Sequence, residues 1–241
     1  GLGNQIRSIA NAISFAMTNN AYIHMDNFKC GTPIASLFNL SPYDSIIMNA
    51  HEHSNVLKHI YMSGSEIFRY KANYNVTMIP TKNITNVALN SMDLPEKYNC
   101  LHVRNITEEK RNKHHYPIQL SQRAAEKAKP KTLSSHSQFS QKVPLLIISD
   151  GYFDVQQLNT TPIERFKVKY PTLLHKHGRY SKRETKSTIV DAIQCAYAEN
   201  VYSITIGGGS TLFHYISKLH TKIKNHTRPN SAPVFMSDLI R

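Results

Sequence analysis

An apolar run, Val201–Ile206, passes directly into Gly207-Gly208-Gly209-Ser210-Thr211 and then into a helix-spaced segment, Leu212 to Leu219. A strand that ends in glycines and restarts as a helix fits few architectures. Parallel strands need crossover helices, so this order points to an α/β fold. Two further runs end in a similar way. Tyr98 to Val103 meets Arg104, and Val143 to Ile148 meets Ser149-Asp150-Gly151. In open α/β sheets the ligand lies beyond the carboxyl ends of the strands. His102, Arg104, Ser149, Asp150 and Gly207 to Thr211 are therefore grouped as one candidate site.

Each member has a chemical reading and a plainer one. Consecutive glycines let a backbone approach an anion, and the N–H groups of the next helix favour negative charge. Gly209 would open that approach, with hydroxyl donors from Ser210 and Thr211. The plainer reading is a tight turn with a Ser/Thr cap. No Lys follows the glycines, and the spacing is not GxGxxG, so neither a Walker A loop nor a dinucleotide fingerprint is present. Arg104 can grip phosphate oxygens in bidentate fashion, or simply form a surface ion pair. His102 shares its side of the strand, or is a core histidine. Asp150 could accept hydrogen bonds from a base or ribose, or cap the segment after its strand. Asp191 and Glu184 could lie on a helix facing the cleft, or be solvated.

Elsewhere, Ile6, Ile9, Ala10, Ile13, Ala16 and Met17 recur at helical spacing, which predicts a helix from about residue 4 to 18. Gly1-Leu2-Gly3-Asn4-Gln5 reads as a glycine-rich turn before it, or as an ordinary N-terminal cap. Ala21 to Met25 reads as a short strand closing at Asp26, and Ser45 to Met48 and Val76 to Ile79 as strand-like runs. Residues 1–95 form a first lobe on this reading, and residues 96–241 a second. In the second, helices are expected at Ile118 to Lys129 and Thr185 to Ala198, with an exposed Ser/Gln/His-rich loop at Thr132 to Lys142.

Charge narrows the partner. The chain carries 29 Lys and Arg against 16 Asp and Glu, a formal charge of +13. An anionic partner or a generally basic surface would each account for it. The densest basic stretches, Lys110 to His115 and Lys176 to Lys186, are short and read as loops. Absence of Trp and of any basic-aromatic motif weighs against nucleic acid. Cys30, Cys100 and Cys195 lack metal-ligand spacing, so no metal site is expected. They allow one disulfide plus a free thiol, but an odd count sets no framework. No run of about 18 apolar residues occurs to span a membrane. The chain opens inside a motif without Met, and reads as a fragment whose upstream signal or anchor is missing. Sequons at Asn39, Asn75, Asn83, Asn105, Asn159 and Asn225 lend modest support to a secretory-pathway protein.

Four segments together resemble the superfamily of α1,2-, α1,6- and protein O-fucosyltransferases. They are GLGNQIRSIANAISFAMTNNAYIHMD at the start, LHVRN at Leu101 to Asn105, LLIISDGYFDV at Leu145 to Val155, and DAIQCAYAENVYSITIGGGSTLFHYISKL at Asp191 to Leu219. They match, in order, the family's G-x-G-N-[QR] opening, its H-x-R motif, its strand ending in Ser-Asp, and its Asp-led helix, strand and S-T-F-like turn. The family often continues H-x-R with Arg, Gly or Asp, where this chain has Asn105-Ile106-Thr107. The aromatic tail after S-T-F is reduced to Phe213, His214 and Tyr215.

The resemblance implies a GT-B-like fold of two Rossmann-type lobes around a cleft, with GDP-fucose as donor substrate and no cofactor or metal. It implies that Arg104 contacts the diphosphate and assists its departure, with Asn4 approaching from the first lobe past Gly3. His102 would shape the strand end, Ser149 and Asp150 would lie near the nucleoside, and Ser210 and Thr211 would receive phosphate. Glu108, Glu109 and Asp26 are the candidates for a general base. The implied setting is the Golgi lumen, on a membrane anchor, with a glycan or glycoprotein acceptor. Two alternatives stand beside it: a glycosyltransferase using another nucleotide sugar, and a catalytically silent module binding sugar or polyanion.

Overall fold

The computed structural model describes residues 2–25, 27–28, 31–48, 64–71, 73–90, 94–105, 145–149, 165–169, 182–206 and 210–226. Within them the chain is an α/β protein built on a parallel sheet. Its elements run α1 (Leu2–Asn19), α2 (Gly64–Arg69), α3 (Lys82–Asn90), β1 (Asn99–Asn105), β2 (Leu145–Ser149), β3 (Arg165–Lys169), α4 (Lys182–Ala196), β4 (Val201–Ile206) and α5 (Thr211–His226). The sheet order is β3-β2-β1-β4, and every neighbouring pair is parallel. β1 therefore lies inside the sheet, between its sequence successor β2 and the last strand β4. Strand order reverses between β1 and β4, which is where open α/β sheets open a crevice.

Burial of the sheet explains its composition. Cys100, Leu101, Leu146, Ile147 and Ile148 are all buried, as parallel strands covered by helices require. α4 packs on β1 and β2, while α5 packs on β4 and on α4. Cys100 of β1 and Cys195 of α4 are joined by a disulfide, Cα to Cα 5.2 Å. Nearby, the Tyr98 hydroxyl donates to the carbonyl of Gln194 at 2.5 Å, and the Gln194 amide donates to the carbonyl of Ala88 at 2.6 Å. One buried residue, Gln194, thus ties α3, α4 and the entry to β1 together through its side-chain amide and its backbone carbonyl.

α1 forms because its apolar residues line one face: Leu2, Ile6, Ile9, Ile13 and Ala16 are buried. Met17, expected on that face, is 39% exposed. The helix stops at Asn20, which takes a left-handed conformation (φ 48°), while Ala21 N–H reaches back to the Ala16 carbonyl at 3.0 Å. That is a Schellman-type ending with Asn in the glycine position. Gly3 and Asn4 lie within the first turn of α1, not in a turn before it.

The strand expected at Ala21 to Met25 is reduced to one bridge, Ile23 with Ile47. Ser45 to Met48 supplies only the other side of it. Val76 to Ile79 also forms no strand; its pairing is the neighbouring bridge of Phe38 with Pro80. Without a second partner such short runs do not propagate a ladder. Residues Lys182 to Lys186, expected as the end of a basic loop, form the first turns of α4. The segments Ile118 to Lys129, Thr132 to Lys142 and Lys110 to His115 lie outside the described residues.

The apolar core is continuous. Leu2, Ile6 and Phe38 join Cys100, Leu146, Ile193, Tyr215 and Ile216 in a single cluster. Phe38 meets Tyr215 edge-on with ring centroids 6.1 Å apart.

Candidate functional site

The N-terminal glycine motif and the Ser-Thr turn meet. The Thr211 hydroxyl donates to the Asn4 side-chain oxygen at 2.6 Å across a sequence separation of 207 residues. Gly3 permits this approach. A Cβ on Gly3 would collide with the backbone nitrogen of Leu212 and lie 2.8 Å from its Cα and from the Thr211 carbonyl carbon. The amino ends of α1 and α5 consequently touch, backbone to backbone. Ser210 is the N-cap of α5: its hydroxyl accepts from Phe213 N–H at 3.1 Å, and its carbonyl accepts from His214 N–H at 3.1 Å. Ser210 therefore fills the capping role. Asn4 is exposed, and with its oxygen engaged by Thr211 its NH₂ is the donor end.

The strand tips assemble beside this point. In the ladder between β1 and β4, Arg104 pairs with Thr205 and Asn105 with Ile206. The carboxyl ends of β1 and β4 thus share one edge of the sheet. Ser149 pairs with Val103 and reaches the same edge from β2. His102 is buried at 2% and packs against Phe213 of α5, ring centroids 5.9 Å apart. It sits within the sheet and holds the α5 amino end against β1. Asp191 lies in the middle of α4 and is buried. Asp150, Gly207 to Gly209, Asp26, Glu108 and Glu109 lie outside the described residues.

Other polar residues sharpen the electrostatics. Arg7 is one helical turn beyond Asn4 on α1, and its guanidinium lies 4.6 Å from the centroid of the Phe68 ring. His214 is one turn beyond Thr211. Burial, then the charges of Lys218 and Arg7, hold the His214 pKa below its ordinary value. Burial, then Arg7, lower that of Lys218. Two cations, Arg7 and Lys218, thus flank a largely neutral His214 across the α1–α5 seam. The sequence reading passed over Arg7 and Lys218. Their signal was available in their helical spacing from Asn4 and Thr211, but only once α1 and α5 were known to be neighbours.

Among the described residues no group of three or more His, Cys, Asp or Glu side chains could hold a metal ion. No described helix is long and apolar enough to cross a membrane. The amino ends of two helices meet at one point, an electrostatic setting that favours an anion.

Comparison with known proteins found no matching family model, no similar curated protein and no similar solved structure.

Proposed function

We propose that this chain binds a nucleotide-diphosphate sugar at the carboxyl edge of β1 and β4 and transfers the sugar with inversion and without a metal. The donor is GDP-fucose, and the acceptor a glycan or glycoprotein. One observation carries the reading. Gly3-Asn4, the β1 tip and Ser210-Thr211 are far apart in sequence, yet they converge at the switch point of a parallel sheet. A GT-B arrangement would make residues 1–95 the acceptor-side lobe and residues 96–241 the donor lobe.

The chemistry follows from charge. As the glycosidic bond to the diphosphate breaks, negative charge grows on the leaving oxygen. The Arg104 guanidinium and the amides at the start of α5 stabilise that charge in the transition state more than in the ground state. The Asn4 amide donates from the opposite side, and Ser149 and Asp150 adjoin the nucleoside. Deleting one such donor typically costs about 3 to 4 kcal/mol of barrier. The Cys100–Cys195 disulfide supports placement in an oxidising compartment, in keeping with a Golgi-lumen enzyme.

Thermal-shift titration with GDP, UDP, ADP and heparin tests the donor. Selective stabilisation by GDP is expected. Stabilisation by UDP alone moves the reading to another nucleotide sugar, and by heparin alone to a silent polyanion-binding module. Arg104→Ala should then abolish most GDP-fucose turnover while the protein stays folded. Turnover near the wild-type rate would remove Arg104 from the mechanism.

A further inference from the structure

The donor site leaves a neighbouring feature unexplained. α1 and α5 start from one point and run side by side, because Asn4 meets Thr211 while Arg7 interacts with His214 and Lys218. Neither helix contains an acidic residue. Their seam therefore presents Arg7, His214 and Lys218 in succession beyond the Asn4–Thr211 pair. Thr211 to Lys218 spans about 10 Å at the helical rise per residue. Burial is the main cause that lowers the pKa values of His214 and Lys218, and the Arg7 charge adds to it at both. A fold with no use for the cluster would gain by placing a carboxylate there. Arg7 is also braced: Phe68 of α2 lies under its guanidinium and limits its rotation, which reduces the entropy lost on binding.

We infer that the α1–α5 seam, formed by Arg7, His214 and Lys218, is an acceptor subsite for an acidic oligosaccharide bearing sulfate groups. The inference rests on the donor reading above, since the seam begins at the Asn4–Thr211 pair that reading places at the donor. Sulfate suits the donors. Arg7 offers a planar fork to two oxygens, and Lys218 a point charge one to two helical turns away. Each ion pair that forms replaces repulsion with attraction, so affinity should fall as salt screens the seam.

The test uses the intact chain and a size-defined, heparin-derived sulfated tetrasaccharide, with binding measured by calorimetry at low and at physiological salt. The paired substitution Arg7→Gln with Lys218→Gln should weaken tetrasaccharide binding about tenfold or more, the equivalent of one lost charged contact. Its GDP affinity should stay near wild type. Lys186→Gln, at an exposed position on α4, serves as control and should change neither. If the pair fails to fold by circular dichroism, Arg7→Gln alone replaces it, with a smaller loss of the same kind expected. Unchanged tetrasaccharide binding in the folded variant overturns the inference. So does loss of GDP binding with tetrasaccharide binding intact, which would assign the seam to the diphosphate. Binding to phosphatidylserine vesicles that is lost in the variant, with no tetrasaccharide binding in the wild type, also overturns it in favour of a membrane surface. Failure of wild-type GDP binding, with seam binding as expected, counts against the donor reading alone.

Discussion

The Thr211 hydroxyl donates to the Asn4 amide oxygen at 2.6 Å and joins the first turn of the first helix to the first turn of the last. This pair is exposed on the Asn4 side, so water can replace the lost partner in a variant.

Asn4→Ala should therefore separate binding from stability. The melting temperature is expected to change by no more than about 3 °C, corresponding to less than about 1 kcal/mol in a chain of this size. Affinity for GDP-fucose should fall about tenfold through loss of the amide donor. A large drop in melting temperature with unchanged affinity would make Asn4 a structural residue only.

Gly3→Ala sets two effects against each other. Alanine gains about 1 kcal/mol of helix propensity over glycine. The added Cβ, however, meets the backbone of Leu212 and Thr211, which cannot rotate away as a side chain would. Overpacking against backbone falls at the upper end of the usual range, about 2 to 3 kcal/mol, and wins. Thermal denaturation should show a melting temperature lowered by about 2 to 8 °C. A variant as stable as wild type would mean that α1 and α5 do not touch at this point.

The Cys100–Cys195 bridge closes a sequence separation of 95 residues, and both cysteines are fully buried. Replacing both with Ser should remove about 2 to 5 kcal/mol, measured by denaturant unfolding. Reductant alone should act slowly on the folded protein and quickly once denaturant opens it. Rapid labelling of both thiols under native conditions would refute that burial.

Two histidines give stability a pH dependence. Burial is the main cause that lowers the pKa of His214 and of His220 below the ordinary 6.5. Lys218 and Arg7 add to the effect at His214; at His220, Lys224 adds to it and the Ala196 carbonyl opposes it. The unfolded chain thus takes up these protons first as pH falls, and it is favoured below about pH 6.5. Melting temperature should decline from about pH 7.5 to about pH 5.5. His220→Gln should flatten part of that decline, since glutamine carries no proton to gain. A profile that rises on acidification would contradict both shifts.

Much of this architecture could be read from the chain because burial leaves a periodic trace. Ile6, Ile9 and Ile13 marked α1, and the unbroken apolar run at 145–148 marked β2. β3 was missed because Arg165–Lys169 alternates charged and apolar residues and lacks the continuous apolar character of β1 and β2. Ala21 to Met25 misled in the opposite direction: its residues favour a strand, but among the described residues its only bridge is to Ile47. At the site, glycine, hydroxyl and strand-end residues were visible as local motifs. That Asn4 would meet Thr211 was not, because a hydrogen bond across 207 residues leaves no local pattern. Gln194 was equally hidden, an amide on an apolar helix face whose partner is a distant carbonyl.

The backbone contact between Gly3 and Leu212 has a mechanical consequence. Two helices butted together at their tips cannot slide past one another without breaking that seat. The amides they present are held in place before any ligand arrives, so little ordering remains to be done on binding. On the proposed reading, the helix tips act as a fixed anvil against which the ligand is received.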